Sequence, residues 1–391
     1  MQTLRQSPKD AAFVQDPYPF YERARALGPF FRWEDYDLAC TGNSAAVNAI
    51  FRDRRFGREP VIAPVIPPHL APFYAVEAHS MLELEPPRHT RLRNLVLRAF
   101  TSRRIAGLGP DITALATELA TSVPEGNFDL LQAFAQPLPV RIIARLLGVP
   151  EDIAPDLLRW SNAMVGMYMA GRTREAEDRA VAATEAFVTF LRGYIDQRRK
   201  RPADDLITQL IAAESEGEKL STDELISTCI LLLNAGHEAT VHTIGNGVKL
   251  LLETGTSGFL GKPDTIDATV EEILRFDPAL HMFTRHAYED VEVMGHTFHR
   301  GDQVGLLLAA ANRDPGVWDD PARFDPVRPV KPLATFGAGL HFCVGAPLAR
   351  LELQIALPIL FRHHPGLALA DRPVYADVYH FHGLRELRVR S

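Results

Sequence analysis

The stretch "FGAGLHFCVG", residues 336–345, decides the fold. One cysteine, Cys343, stands among Gly337, Gly339 and Gly345, with Phe336 ahead of it, and the helical pattern "APLARLELQIAL" follows directly. Glycines let backbone N–H groups turn towards the sulfur, and the following helix would point the positive end of its dipole at it. Both effects favour the thiolate, the form that ligates a metal. Outside such a setting a lone cysteine reads as a small buried hydrophobe, which is the reading for Cys40 and Cys229. A single thiolate held in this way suits the axial position of a heme iron.

The rest of the chain sets the bounds. It has 391 residues, 46% hydrophobic and 23% charged, an ordinary globular composition. A net charge of −7 argues against nucleic acid as a partner. Three cysteines are too few and too scattered for a disulfide framework or a four-thiolate cluster. No apolar run is long enough for a membrane span, and the start lacks a signal-peptide layout, so a cytoplasmic protein without membrane attachment is expected. No repeat or linker divides the chain, so residues 1–391 are expected to form one domain. Long helical patterns dominate, among them "DITALATELATSV" and "AEDRAVAATEAFVTFLRGYIDQRRK". Strand-like pieces are short: "FFRWEDYDLACT", "VEVMGHTFHRGDQVGLLLA" and "LRELRVR". The fold class is mainly α with a small β region. The segment 57–74 carries five prolines beside several apolar residues, the composition of a binding loop.

The pattern "DELISTCILLLNAGHEATVHTIGNGVKLLLE" predicts one long helix, started by a capping box at Ser221 and Glu224. Leu232, Ala235, Ala239 and Thr243 fall on one face with Gly236 beside them, so a bulky group could lie flat against it. Close helix packing is the alternative reading of the same small residues. Glu238 supplies a carboxylate at the same level.

Further motifs lie in order along the chain: "EPPRHTRLR" at 85–93, "EEILR" at 271–275, "AANRDP" at 310–315 and "DDPARFDP" at 319–326. Together with the spacing Phe336, Gly339, His341, Cys343, Gly345, they resemble the cytochrome P450 family in its soluble bacterial form, over nearly the whole chain. The resemblance implies the cytochrome P450 fold, a triangular-prism helical domain around a buried heme b, with Cys343 as the axial thiolate. It implies that Phe336, Gly337, Gly345, Ala235 and Gly236 border the heme, and that His89, Arg93, Arg285 and His341 bind its propionates. Glu272, Arg275 and Arg323 would form an ion-paired triad behind it.

The activity implied is a monooxygenase that inserts one atom of O2 into a small or medium, largely apolar substrate. Oxidative coupling, desaturation or rearrangement on the same scaffold is the alternative, with a non-catalytic heme-binding recruitment protein as the reading from another class. Nothing reductase-like follows in the sequence, so electrons are expected from a separate ferredoxin and ferredoxin reductase, docking near Arg98, Arg103, Arg104, Arg350 and Arg362; a monomer is expected. The family usually has an acid followed at once by a threonine on the long helix. Here Glu238 matches the acid, but Ala239 stands at the alcohol position. Thr240 is rotated 100° further round the helix, and its hydroxyl is expected to bond back to the carbonyl of Gly236 or His237. Water or a polar group of the substrate would then supply the missing hydroxyl. Substrate contacts implied by position are Phe73, Met81, Met164, Met167, Leu232, Ala279, Met282, Phe283 and Phe381, with His281, His380 and His382 hinting at polar recognition.

Overall fold

The computed structural model describes residues 1–169, 172–215 and 218–391. The helices that build the interior are α1 (Ser44–Arg52), α2 (Arg88–Ala99), α3 (Gly109–Thr121), α4 (Pro137–Leu147), α5 (Ala154–Val165), α6 (Arg174–Lys200), α7 (Thr222–Thr254), α8 (Ile266–Phe276) and α9 (Ala346–His363). The main sheet is made of β1 (Gln2–Leu4), β2 (Phe31–Trp33), β3 (Leu38–Thr41), β4 (Phe56–Gly57), β5 (Met282–Ala287) and β6 (Gln303–Leu307), in the order β1-β2-β3-β6-β5-β4.

The central element is α7. Its 33 residues span about 50 Å at ~1.5 Å each. The Ser221 hydroxyl accepts from the Glu224 N–H and the Glu224 carboxylate accepts from the Ser221 N–H, so two otherwise unpaired donors are satisfied. The helix stops at Gly255, whose φ of 66° would strain any residue with a Cβ. Helices α4, α5, α6 and α8 pack around it. Their apolar faces form the largest cluster, which contains Phe73, Met81, Met164, Met167 and Leu232.

The sheet flanks this helical body. Strand β6 pairs parallel with β3 and antiparallel with β5, placing Val304 opposite Arg285. Side chains alternate along β5, so Phe283 and Arg285 share one face while Met282 takes the other. Phe283 packs on a cluster holding Phe51 and Phe298, and Met282 joins an aromatic group with Trp33, Tyr21 and Tyr379. The expected strands around residues 31–41, 291–307 and 384–390 are present, and the three expected helices match α3, α6 and α7. The proline-rich segment stays irregular until a turn at Pro68–Leu70 and a short helix at Ala71–Glu77, and Ile62 and Val65 are 84% and 95% exposed. No helix among the described residues is long and apolar enough to cross a membrane.

Candidate active site

The cysteine loop is set by its glycines and by α1. Gly339 has φ 69°, and a Cβ there would lie 2.2 Å from the Phe51 carbonyl oxygen, so only glycine fits. The Gly337 N–H donates to the Ala334 carbonyl (2.8 Å) and the Cys343 N–H to the Phe336 carbonyl (3.0 Å), closing the loop upon itself. Helix α9 starts three residues after the sulfur, with Gly345 as N-cap. Burial raises the Cys343 thiol above its ordinary value. The N–H groups of Gly345 and Ala346 and the charges of Arg93 and Arg350 pull the other way. Arg350 also stacks over Phe336 at 4.6 Å.

Next to this loop lies a cationic cradle. His89 is 1% exposed, and among the described residues neither ring nitrogen has a hydrogen-bond partner. Burial, His341 and Arg93 push its pKa down to about 4. Arg285, 4% exposed, donates to the adjacent Thr284 carbonyl (2.8 Å) and stacks on Phe51 at 4.9 Å. Burial lowers its pKa to about 10. Arg93 donates to the Phe342 carbonyl at 2.6 Å, beside Cys343. A buried cation, Arg285, and an orphaned histidine need an anion. The residues present therefore fit the two carboxylates of a heme, with a sulfur ligand close by.

His341 also has a partner within the protein. Its Nε2 faces the Glu85 carboxylate at 2.9 Å, and its ring lies 4.4 Å from that of His89. Burial opposes ionisation of Glu85, but His341, the Arg58 N–H and His89 outweigh it, and its pKa falls below the ordinary value. Sequence reasoning missed Glu85, although it opens the "EPPRHTRLR" motif and its carbonyl accepts from the His89 N–H at 3.0 Å.

The triad also needs a correction. Arg275 grips Glu272 with two bonds of 2.6 and 2.7 Å, both residues being at most 2% exposed. The third side chain is Arg328, whose Nε lies 3.2 Å from Glu272, not Arg323. Arg323 points outward, 65% exposed, to Asp325 at 2.9 Å, and only its backbone carbonyl accepts from Arg275. The turn gives Arg323 a carboxylate two residues away in water, so its side chain has no reason to enter the core.

On α7, Ala235 is exposed and Gly236 and Ala239 are half-buried, while Leu232, Leu233 and His237 are buried. The Thr240 hydroxyl donates to the Gly236 carbonyl at 3.2 Å and Thr243 to the Ala239 carbonyl at 2.7 Å. Glu238 has His242 Nε2 at 3.3 Å on one oxygen and His237 Nε2 at 3.5 Å on the other. Burial raises its pKa, but the two histidines hold it below the ordinary value.

Among the expected substrate contacts, Phe73, Met81, Met164, Met167 and Leu232 share one cluster. Phe381 bridges to Leu280, and its ring lies 6.5 Å from His242. Ala279 is 3% exposed beside that bridge. Met282 is a correction, since strand alternation turns it away from Phe283 into the aromatic cluster. His281 and His382 are likewise buried, with Asp277, at 0% and 3% exposure. Of the arginines expected to dock a redox partner, Arg98, Arg103 and Arg362 are exposed, while Arg104 pairs with Asp204 at 2.6 Å and Arg350 with Glu271 at 3.0 Å.

Comparison with known proteins agrees with this geometry. A family-wide sequence pattern described as Cytochrome P450 matches residues 264–365. The biotin biosynthesis cytochrome P450 of Bacillus subtilis is 34% identical over 99% of each chain. The vitamin D(3) 25-hydroxylase of Pseudonocardia autotrophica is 38% identical over 96% of this chain and 94% of its own. The crystal structure of P450BioI with a hexadec-9Z-enoic acid ligated acyl carrier protein superposes with a TM-score of 0.92 at 34% identity, over 98% of this chain and 100% of that one. CalO2 superposes at 0.90 and 30% identity, over 99% and 98%. With relatives of this identity spanning it end to end, the chain belongs to the cytochrome P450 family, as a monooxygenase of the bacterial type that binds heme b through a cysteine thiolate.

Proposed function

We propose that Cys343 is that thiolate, that His89, Arg93 and Arg285 hold the propionates, and that the chain inserts one atom of O2 into a largely apolar organic substrate. His89 carries the reading: a buried histidine with both ring nitrogens unpartnered, beside Arg93, is a donor set built for an anion. Heme b, when bound, supplies the oxygen-activating redox chemistry. The chain's own residues do the rest. Backbone N–H groups at the start of α9 stabilise the thiolate. Glu85 fixes the His341 ring beside His89. Ala235, Gly236 and Ala239 leave clearance along α7, and Glu238 holds a proton-accepting carboxylate next to it. Phe73, Met81, Met164, Met167 and Leu232 exclude water and form an adaptable apolar wall.

Electrons come from a separate ferredoxin and its reductase, docking where Phe342 is 40% exposed beside Cys343 and where Arg98, Arg103 and Arg362 reach the surface. A further relative is the 6-deoxyerythronolide B hydroxylase of Saccharopolyspora erythraea, 39% identical over 80% of this chain and 78% of its own, and P450BioI was solved with a carrier-ligated fatty acid, so macrolactones and long acyl chains are the substrates to try first. The test is a carbon monoxide difference spectrum of the reduced protein. It is followed by a spin-state screen against macrolactones and fatty acids, free and carrier-ligated. A thiolate-type band that Cys343→Ala abolishes is expected. Folded, heme-loaded protein without that band removes the reading. Ala239 in the place of an alcohol supports desaturation, coupling or rearrangement as the second reading. Labelled O2 separates the two, because only insertion places the label in the product.

A further inference from the structure

The cluster around Glu238 assigns different jobs to its two histidines. His237 Nδ1 lies 2.9 Å from the Leu233 carbonyl, which can only accept, so Nδ1 carries a proton. In the neutral ring Nε2 is then a lone pair, facing Glu238 Oε2 at 3.5 Å and the amide of Asn162 at 3.5 Å. A second proton on Nε2 would find the carboxylate waiting, so both N–H groups of a cationic His237 have acceptors. His242 is the opposite case. Its Nε2 faces Glu238 Oε1 at 3.3 Å and must be the donor. Its Nδ1 is buried without a partner among the described residues and packs against Gly383, where a Cβ would lie 1.8 Å from it. A second proton there would be a buried donor with no acceptor. His242 therefore serves Glu238 as a donor through Nε2, and His237 has an acceptor for a proton on either ring nitrogen.

We propose that His237 passes the proton to Glu238 and that His242 is a positioning residue holding the carboxylate, so that proton delivery in this chain runs through an imidazole and not through a hydroxyl at position 239. The inference rests on the monooxygenase reading above. In the step, the Nε2–H bond of the cationic His237 breaks and an O–H bond forms on Glu238 Oε2. The ring is left neutral, no electrons move, and the proton is replaced from solvent on the side of Asn162, which is exposed. Burial holds His237 below its ordinary value, so the cation is short-lived, as a relay requires. The titratable groups facing His237 among the described residues are Glu238 and His242, both on α7. Across from them α5 presents Asn162 and Met164, and α4 presents Ile143 to Gly236, none of which titrates.

The test uses the heme-loaded full chain, labelled with 15N-histidine, as its diamagnetic ferrous–carbon monoxide complex, followed from pH 5 to 8.5. His237 is expected to titrate below the ordinary imidazole value, because burial disfavours its cation. Glu238→Gln should lower the His237 midpoint by removing the charge that supports its cation. A His237 midpoint indifferent to Glu238→Gln overturns the assignment.

A second arm mixes dithionite-reduced enzyme with O2, without organic substrate, in H2O and D2O. His237→Phe should slow reoxidation severalfold and flatten its pH profile and solvent isotope effect. His242→Asn, whose amide still donates to Glu238, should change the rate less than twofold. A His237→Phe profile matching the wild type overturns the proposal. The carbon monoxide band separates the two levels of failure. Its absence from the wild type defeats the monooxygenase reading. A normal band with a silent His237 defeats only the relay.

Discussion

Arg328 shows how much one side chain can carry that a motif does not name. Glu272 is 2% exposed and accepts from Arg275, from the Asp325 N–H at 2.8 Å and from Arg328. Removing Arg328 leaves a buried carboxylate short of a donor, a loss of about 1–3 kcal/mol. Arg328→Ala should therefore lower unfolding stability by that amount, while Arg323→Ala should stay within about 0.5 kcal/mol, as exposed ion pairs do. Chemical denaturation of the two variants checks the ranking, and an equal loss from both would restore Arg323 to the triad. Pro321 to Arg328 has no periodicity, so nothing in the sequence says which of two arginines five positions apart turns inward. Cys343 and Glu272 were legible because each sits on or against a helix whose spacing fixes its direction. The contact of His341 with Glu85 was not legible, because it joins residues 256 positions apart.

At the scale of one element, the start of α7 was legible, since its cap is local chemistry: a serine and a glutamate three residues on. Its threonines are equally local. Thr240 and Thr243 both turn their hydroxyls back to the carbonyl four residues earlier, and Thr254 does the same to Leu250 at 2.6 Å. A hydroxyl added by Ala239→Thr meets the Ala235 carbonyl in the same geometry and would take it. Ala239→Thr is therefore expected to change the peroxide released per reducing equivalent by less than twofold. Peroxide assays during turnover with a redox partner check this, and a large fall in release would show that the added group reaches the oxygen site. The strand β5 was less legible. Its neighbours Met282 and Phe283 are both apolar, and the sequence hides that the pleat sends Phe283 to the cluster around Phe51 and Met282 to the aromatic cluster.

Across the whole molecule the least legible feature is the knot around Asp277. Its carboxylate accepts from Tyr18 (3.0 Å), Tyr375 (2.5 Å) and His382 Nδ1 (3.0 Å), while Asn246 donates to the carbonyls of Asp277 and His382. The knot joins the N-terminal segment, the end of α8, α7 and the last loop. No local pattern announces a contact of that kind. His281 sits within it at 0% exposure, bonded through Nδ1 to Tyr21 at 2.8 Å. Burial and the nearby His382 hold it well below its ordinary value of 6.5. Below that value the unfolded chain binds a proton that the folded one refuses, so stability must fall as pH drops from about 6.5. The slope is up to ~1.4 kcal/mol per pH unit for one such group. His281→Asn should remove about one proton's worth of the slope between pH 6.5 and 5. Denaturant midpoints across that range give the answer, and an unchanged slope would mean that His281 is charged in the fold.

The Phe51 carbonyl beneath Gly339 has one further consequence. The region that the family pattern recognises, residues 264–365, contains the cysteine and its glycines but neither the helix they rest on nor His89 and Arg93. That region is the chain's signature without being its machine. Cut out on its own, it would carry a recognisable ligand and lack the seat that gives the ligand its shape. Grafting this loop into another protein therefore calls for the strut at Phe51 to be carried along with it.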